Sequence, residues 1–246
     1  MDLRDRVVLV TGGRRIGAEV AVDLASRGAD LALTYSQSRE TAERTAEAVR
    51  AAGRRAMTGA VDVADAAACE AFVARVGREL GRLDVLVYMA SIYEARELDA
   101  TDAFAFDRQL AVDLRGAFAC ARAAVPLMRQ ADGGRIILFS DWVAASGRPR
   151  YTGYLAYYVA KAGVKALGEA LALELARDGI LVNTIAPGPI LAPPGTTDEE
   201  AAAVRRATPL GRWGGAGEIA KAVRLLIESD FITGETIRVD GGRHVR

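Results

Sequence analysis

Two side chains beyond the middle of the chain have the types and the spacing of an acid catalyst. Tyr157 is followed four residues later by Lys161, in a chain with seven tyrosines and three lysines. Apolar spacing without an internal proline predicts a helix over 152–177, in which residues four apart lie on one face about 5–6 Å apart. A phenol titrates near pH ~10, and a neighbouring cation lowers its pKa, so Tyr157 could donate a proton near neutral pH. The alternative is that Tyr157 packs in the core and Lys161 is a solvated helix lysine.

A regular series of strands and helices must position this pair. Its alternation predicts an α/β fold: a doubly wound parallel sheet of the Rossmann type, with about seven strands and helices on both faces. In such a sheet, ligands bind outside the carboxyl ends of the strands. The predicted strands cover 6–11, 30–35, 54–61, 84–90, 135–140, 181–186 and 236–239, and the predicted helices cover 18–27, 39–52, 65–80, 101–130, 152–177, 199–206 and 216–228.

The domain organisation follows from the absence of a linker or repeat. We expect residues 1–246 to form a single dinucleotide-binding reductase domain. Glycine and proline gather at 187–195 and 208–217. This composition predicts a mobile segment on the substrate side over 187–217.

A glycine-rich turn follows the first predicted strand and precedes the first predicted helix. The turn reads Thr11-Gly12-Gly13-Arg14-Arg15-Ile16-Gly17. Glycines allow the backbone to approach a pyrophosphate, and a helix N-terminus offers free N–H groups and the positive end of a dipole. The turn therefore predicts a dinucleotide-phosphate site.

Composition excludes several other classes of function. Lysine plus arginine equals aspartate plus glutamate at 32 each, so bulk charge implies neither nucleic-acid binding nor a basic membrane-binding face. The chain has no basic and apolar leader and no run of 18 apolar residues, so we expect a cytoplasmic protein. Cys69, Cys120 and the single histidine, His244, lack metal-site spacing, so we expect no metal and two cysteines buried in packing.

Taken together, these motifs resemble the short-chain dehydrogenase/reductase family over essentially the full chain. The resemblance implies that Tyr157 is the proton donor, that Lys161 binds the nicotinamide ribose and lowers the pKa of the phenol, and that Asp62-Val63 flanks the adenine. It also implies a homotetramer, with the Tyr157 helix and its predecessor in one interface and the C-terminal strand in another. The residues that carry the resemblance are Thr11-Gly12 with Gly17, Asp62-Val63, Ala90, Tyr157, Lys161, Asn183, Pro187-Gly188, Thr233-Gly234 and Val239-Asp240-Gly241-Gly242.

Within this family, the residues after the first two strands favour NADPH over NADH as the cofactor. After the second strand, Thr34-Tyr35-Ser36 offers no acid for the ribose hydroxyls, whereas Arg14, Ser36 and Arg39 could bind a 2′-phosphate. The alternative is that these arginines are ordinary solvated residues. The predicted cofactor-binding residues are Thr11, Gly12, Arg14, Arg15, Ile16, Gly17, Tyr35, Ser36, Asp62, Val63, Ala90, Ser91, Tyr157, Lys161, Pro187, Gly188 and Ile190.

Several departures from the family pattern resemble its pteridine reductase branch. Arg15 stands where most members have the second glycine, and Asp141 stands where most have a catalytic serine. An acid beside the phenol can be held protonated by burial and suits a C=N substrate. Its alternative role is a helix or turn cap, with Ser140 or Ser146 as the catalytic hydroxyl.

Two further departures concern the substrate side and the lysine. Ala90-Ser91-Ile92-Tyr93 replaces the usual Asn-Ala-Gly, and in the pteridine reductases the aromatic residue stacks on a flat pterin. The alternative for Tyr93 is a lid over apolar core. Asp113 replaces a helix asparagine behind Lys161 and could shift the pKa of Tyr157 upward. The predicted substrate residues are Arg15, Ser91, Tyr93, Asp141 and Trp142.

These features predict an NADPH-dependent reductase of a small molecule, with a dihydropteridine or dihydrofolate as the favoured substrate. The alternatives are a 3-oxoacyl-thioester or other ketone reductase and, from another class, an NADP-binding sensor that does no chemistry. The predicted catalytic residues are Tyr157, Lys161, Asp141 and Ser140.

Overall fold

The computed structural model describes residues 1–12 and 14–246 and is built on a seven-stranded parallel sheet. The strand order is β3-β2-β1-β4-β5-β6-β7, which confirms the predicted doubly wound arrangement. The order reverses between β1 and β4, so a ligand crevice is expected at their carboxyl ends. The strands are β1 (Val7–Thr11), β2 (Asp30–Tyr35), β3 (Ala56–Ala60), β4 (Val85–Tyr88), β5 (Gly134–Phe139), β6 (Ile180–Pro187) and β7 (Thr236–Val239).

Helices cover both faces of this sheet. They are α1 (Ile16–Ser26), α2 (Arg39–Ala51), α3 (Ala66–Leu80), α4 (Ala103–Leu110), α5 (Gly116–Gln130), α6 (Trp142–Ala145), α7 (Leu155–Leu175), α8 (Asp198–Ala207) and α9 (Ala216–Glu228). Short 3-10 turns occur at Leu98–Ala100, Ala176–Asp178 and Arg243–Val245. Among the residues that the structure describes, no helix is both long and apolar enough to span a membrane.

The apolar run of β1 shows how the core is divided. Successive strand side chains point to opposite faces, so a parallel strand buried on both sides reads as a continuous apolar run. Val7 and Leu9 pack on the side of α3, α5 and α7, whereas Val8 and Val10 pack on the side of α1, α2 and α9. Cys69 and Cys120 are buried in the first of these clusters, which confirms their predicted packing.

The predicted helix over 101–130 is divided in the structure. A π turn, Ala111–Arg115, joins α4 to α5 and carries the buried Asp113. Such turns interrupt the regular hydrogen-bond ladder and are frequent at functional sites.

The predicted start of the Tyr157 helix at residue 152 is wrong. Gly153 has a φ of 76°, which a right-handed helix does not allow, and α7 begins only at Leu155. Tyr157 therefore lies in the first turn, and 151–154 form a loop in front of it.

The segment 187–217 has a defined conformation in this structure, and its mobility stays a prediction. It contains α8, whose first turn is closed by a capping box between Thr197 and Glu200. Gly13 of the glycine-rich turn lies outside the described residues.

Candidate active site

A cleft at the carboxyl edge of the sheet encloses about 1220 Å³. Its wall combines the turn after β1, the ends of β2, β4, β5 and β6, the first turn of α7 and the C-terminal residues. The fold brings most of the predicted site residues into this wall. They are Gly12, Arg14, Arg15, Ile16, Tyr35, Ser36, Asp62, Val63, Ala90, Ser91, Tyr93, Ser140, Asp141, Trp142, Tyr157, Pro187, Gly188 and Ile190.

Three predicted residues lie behind the wall and shape it. The Thr11 hydroxyl accepts hydrogen bonds from the backbone N–H groups of Met89 and Ala90, at 3.0 and 3.2 Å, and so ties β1 to the end of β4. At Gly17, a Cβ would lie 2.6 Å from the carbonyl oxygen of Gly12, so a side chain there would push the turn apart. Lys161 is also buried, and its partners are described below.

The Tyr157 phenol makes a direct hydrogen bond to Asp141. Its hydroxyl donates to Oδ2 of the carboxylate at 3.2 Å. The other oxygen, Oδ1, accepts from the backbone N–H of Val143 at 2.8 Å, because Asp141 is also the N-cap of α6. The sequence left two roles open for Asp141, as the partner of the phenol and as a helix cap. In the structure Asp141 fills both roles, with one carboxylate oxygen for each.

Burial dominates the acid–base behaviour of this pair. Burial raises the pKa of Asp141, against the opposing effects of the Val143 N–H group and Lys161. Burial, together with the carboxylates of Asp141 and Asp113, holds the pKa of Tyr157 well above the usual range. The predicted lowering of the phenol's pKa by Lys161 is therefore wrong for this arrangement, whereas the predicted upward shift by Asp113 is confirmed, and Tyr157 keeps its proton at neutral pH.

Lys161 does not act on Tyr157 as a free cation. Its ammonium group lies 3.1 Å from Oδ2 of Asp113 and donates to the carbonyl oxygen of Phe139 at 2.9 Å. Its distance from the centre of the Tyr157 ring is 5.6 Å. Asp113 also accepts from the Ser91 hydroxyl at 2.6 Å, so the predicted substrate residue Ser91 is engaged with the ion pair. The carboxylate that replaces the usual asparagine thus neutralises the lysine directly.

The two candidate serine hydroxyls are used inside the fold. Ser140 is buried, and its hydroxyl donates to the carbonyl oxygen of Lys161 at 2.7 Å. Ser146 donates to the carbonyl oxygen of Trp142 at 2.6 Å. The structure therefore places Asp141, and not Ser140, at the Tyr157 hydroxyl.

Aromatic rings line the part of the cleft next to Tyr157. Tyr93 stacks on Tyr154 with ring centres 4.8 Å apart and meets the Tyr157 ring edge-on at 5.0 Å. Because Tyr93 is 53% exposed, it is not a lid over apolar core. Flat substrates fit such a wall, since offset and edge-to-face aromatic contacts are favourable.

The turn before α1 fits a dinucleotide phosphate. Gly12 has a φ of 72°, and a Cβ there would lie 3.1 Å from the backbone of Ala90, so only glycine leaves this approach open. Arg15 reaches across the cleft and donates to the carbonyl oxygen of Ala192 at 2.6 Å. Asp62, at the predicted adenine position, pairs with Arg108 at 3.1 Å. Arg14 and Ser36 line the cleft, whereas Arg39 is exposed at the start of α2.

The structure adds residues to the cleft that the motifs did not single out. Tyr151 and Tyr154 could have been noticed as a tyrosine-rich stretch before Tyr157. Trp213 and Arg243 carry no sequence signal, because they reach the site only through the packing of distant elements, whereas Arg150 lies in the loop between Asp141 and Tyr157. The described residues contain no group of three His, Cys, Asp or Glu side chains that could hold a metal ion.

Comparison with known proteins places this geometry in a family. Residues 11–244 match the family model described as enoyl-(acyl carrier protein) reductase. The chain is 36% identical over 242 residues to the 3-oxoacyl-(acyl-carrier-protein) reductase FabG of Staphylococcus aureus, covering 96% of this chain and 97% of the relative. It is also 36% identical to the cis-4-hydroxycyclohexanecarboxylate dehydrogenase of Sinomonas cyclohexanicum, covering 97% of this chain and 96% of the relative.

A solved structure agrees with these relatives. The carveol dehydrogenase of Mycobacterium avium in complex with NAD superposes with a TM-score of 0.91 at 27% identity, covering 100% of this chain and 99% of that chain. The chain belongs to the short-chain dehydrogenase/reductase family and is an oxidoreductase that uses a nicotinamide cofactor.

Proposed function

We propose that the protein uses NADPH to reduce a C=N or C=O bond in a flat cyclic molecule, with a dihydropteridine or dihydrofolate as the leading candidate. The observation that carries the proposal is the 3.2 Å hydrogen bond from the Tyr157 hydroxyl to Asp141. A carboxyl group with a raised pKa beside a protonated phenol suits a nitrogen heterocycle, which needs both a proton and a partner for N–H groups. The aromatic wall at Tyr93 and Tyr154 suits the same flat substrate.

The side chains divide the reaction between them. Bound NADPH would supply the hydride. Tyr157 holds the proton that the substrate heteroatom receives, because its high pKa keeps the phenol neutral until substrate arrives. Asp141 orients the phenol and, when protonated, can replace the proton that Tyr157 gives up. Lys161, paired with Asp113, positions the first turn of α7 from behind the cleft.

NADPH is favoured over NADH by the end of β2. The cleft there is lined by Tyr35, Ser36 and Arg14, a hydroxyl and a guanidinium that can bind a 2′-phosphate, with no carboxylate in Thr34-Tyr35-Ser36. The preference for NADPH is tested by measuring the dissociation constants of NADPH and NADH with the wild-type protein and with the Arg14→Gln variant. The variant should lose affinity for NADPH alone.

The second candidate is reduction of a 3-oxoacyl thioester or another ketone. It is favoured by the 36% identity to FabG over nearly the full length of both chains. The relative that acts on a hydroxycyclohexanecarboxylate also favours chemistry at a C–O rather than a C–N bond. A sensor without chemistry is the third candidate.

Turnover separates these candidates. NADPH oxidation is followed with dihydrobiopterin and dihydrofolate against an acetoacetyl thioester and small diketones. Tyr157→Phe should lower kcat roughly 10²–10⁴-fold, because it removes the proton donor, while NADPH still binds. On a pterin, Asp141→Ala should abolish turnover and Ser146→Ala should not.

The opposite pattern would contradict the pteridine assignment. Activity on ketones alone that is retained in Asp141→Ala but lost in Ser146→Ala would show that a serine supplies the catalytic hydroxyl. NADPH binding without turnover of any substrate in the wild type would favour the sensor.

A further inference from the structure

The guanidinium groups of Arg150 and Arg243 both lie over the ring of Trp142, a residue that lines the cleft. Trp142 directly follows Asp141, and its ring centre lies 5.2 Å from the Cζ atom of Arg150 and 5.5 Å from that of Arg243. The Tyr151 ring meets Trp142 at 6.2 Å. All of these side chains line the same cleft as Tyr157.

Arg243 has no acidic partner in this setting. Its Nη1 atom donates to the carbonyl oxygen of Val204 at 3.0 Å and to the Thr208 hydroxyl at 3.3 Å, both of which are neutral acceptors. Among residues 1–12 and 14–246, no carboxylate lies within 4.0 Å of its guanidinium. The nearby carboxylates are engaged elsewhere: Asp240 binds His244, Glu200 binds Thr197, and Asp141 accepts a hydrogen bond from Tyr157. A half-buried positive charge therefore faces the cleft uncompensated.

Arg150 holds this charge in place. Its Nη1 and Nη2 atoms donate to the carbonyl oxygens of Arg246 and His244 at 2.7 and 3.3 Å, so it fixes the residues on the C-terminal side of Arg243. Arg243 in turn contacts the end of α8 through Val204 and Thr208. The guanidinium lies against α6 and α8, whereas the cofactor-phosphate residues Arg14 and Ser36 follow β1 and β2. The charge therefore belongs to the substrate side of the cleft.

We infer that the substrate is a flat ring that carries a carboxylate, which Arg243 binds while the ring lies along Tyr151, which is 45% exposed. A guanidinium presents a planar fork of N–H donors that matches a carboxylate, and an anion here would supply the charge that the protein lacks. Aromatic walls bury a ring at small entropic cost because these side chains have few rotatable bonds. This inference rests on the proposed function and narrows its flat substrates to those that carry a carboxylate, as dihydrofolate does and dihydrobiopterin does not, but its test below does not depend on turnover.

The test compares benzoate with benzamide, which have the same shape but differ in charge. The protein with Trp213→Phe retains one of its two tryptophans, Trp142, so its fluorescence reports binding beside Arg243. Titrations are made with and without saturating NADP. Benzoate should bind at least about tenfold more tightly than benzamide, as expected for a hydrogen bond to a charged group.

Variants assign that preference to one residue. Arg243→Gln should abolish the preference for benzoate, and Arg243→Lys should retain part of it. Arg148→Gln is the matched control, because it removes an exposed charge from the neighbouring loop and should leave the preference intact. Circular dichroism and thermal unfolding verify that each variant is folded.

Several results would overturn the inference. These are equal binding of benzoate and benzamide, a preference that survives Arg243→Gln, or no binding of benzoate up to millimolar concentration. Tighter binding of phenyl phosphate than of benzoate would also overturn it, because the site would then prefer a phosphate group to a carboxylate. If the protein reduces none of the tested substrates but still prefers benzoate to benzamide, the proposed function is contradicted and the carboxylate site is not.

Discussion

Tyr157 lies beside two carboxylates, and its lysine is already paired. Asp141 accepts from the phenol directly, while Asp113 lies 3.1 Å from the Lys161 ammonium. Each carboxylate favours the neutral phenol over the phenolate, as burial does. At the residue scale, the neighbours of Tyr157 therefore keep the phenol in its neutral form.

The first prediction concerns Asp113→Asn. The substitution removes a negative charge that raises the pKa of Tyr157 and frees the positive charge of Lys161, so the pKa of the phenol should fall. Oxidation of the reduced substrate requires the phenolate, which takes up the proton, so its rate should begin to rise at lower pH than in wild type. The measurement is the pH profile of kcat/KM for oxidation, with Asp107→Asn on α4 as the control for an exposed charge. A profile that stays in place or moves to higher pH would contradict the assigned role.

The second prediction links Asp141 to stability. Burial raises its pKa in the folded protein above the ordinary 3.8 of the unfolded chain. Between these two values the folded state holds a proton that the unfolded state has released, so its contribution to stability falls as pH rises through that window. Asp141→Asn retains a good N-cap but cannot ionise. In urea unfolding from pH 4 to 8, the stability of the variant relative to wild type should therefore increase as the pH rises. A difference that does not depend on pH would show that burial does not raise the pKa of Asp141.

At the scale of elements, the π turn between α4 and α5 brings Asp113 to Lys161. The turn is held by the Tyr88 hydroxyl, which donates to the carbonyl oxygen of Val112. Gly116 follows the turn at the start of α5, and a Cβ there would lie 2.5 Å from the carbonyl oxygen of Val63 and would also collide with the Tyr88 hydroxyl. The absence of a side chain is therefore what allows α5 to approach β4.

The third prediction compares two helical glycines. Gly116→Ala should destabilise the protein by about 1–3 kcal/mol, because backbone and a hydrogen-bonded phenol must both move. Gly217→Ala in α9 meets open space and should be neutral or stabilise by about 0.5–1 kcal/mol through helix propensity. Urea unfolding of both variants measures the free energies. Equal effects would show that helix propensity, and not the close approach, decides the cost at Gly116.

At the scale of the whole molecule, large apolar side chains remain exposed on the helices predicted to form an interface. Leu173 of α7 is 82% exposed and Phe118 of α5 is 44% exposed. Association of two copies of a chain can bury large exposed apolar side chains such as these when they belong to one continuous patch. They are consistent with the homotetramer that the family resemblance implies, which stays a prediction.

The fourth prediction tests that assembly. The double variant Phe118→Glu with Leu173→Glu should sediment with a lower mass than wild type, because charges cannot be buried unpaired in an interface. Leu225→Glu on α9, at a site 50% exposed, is the matched control and should leave the mass unchanged. A monomeric wild type, or a double variant with the wild-type mass, would contradict the predicted assembly.

The sequence by itself determined the sheet, the turn before α1 and the proximity of Tyr157 to Lys161. Each depends on local spacing: the apolar run of β1, glycines between a strand and a helix, and residues four apart in α7. These patterns act over a few residues, so they can be recognised without the fold.

Only the tertiary structure decided which groups surround those side chains. Use of the Ser140 hydroxyl inside the fold and the contact of Arg243 with Trp142 both join residues far apart in the chain. Burial, which is the largest cause of the raised pKa of Tyr157, also depends on the packing of distant elements, which sequence spacing does not reveal.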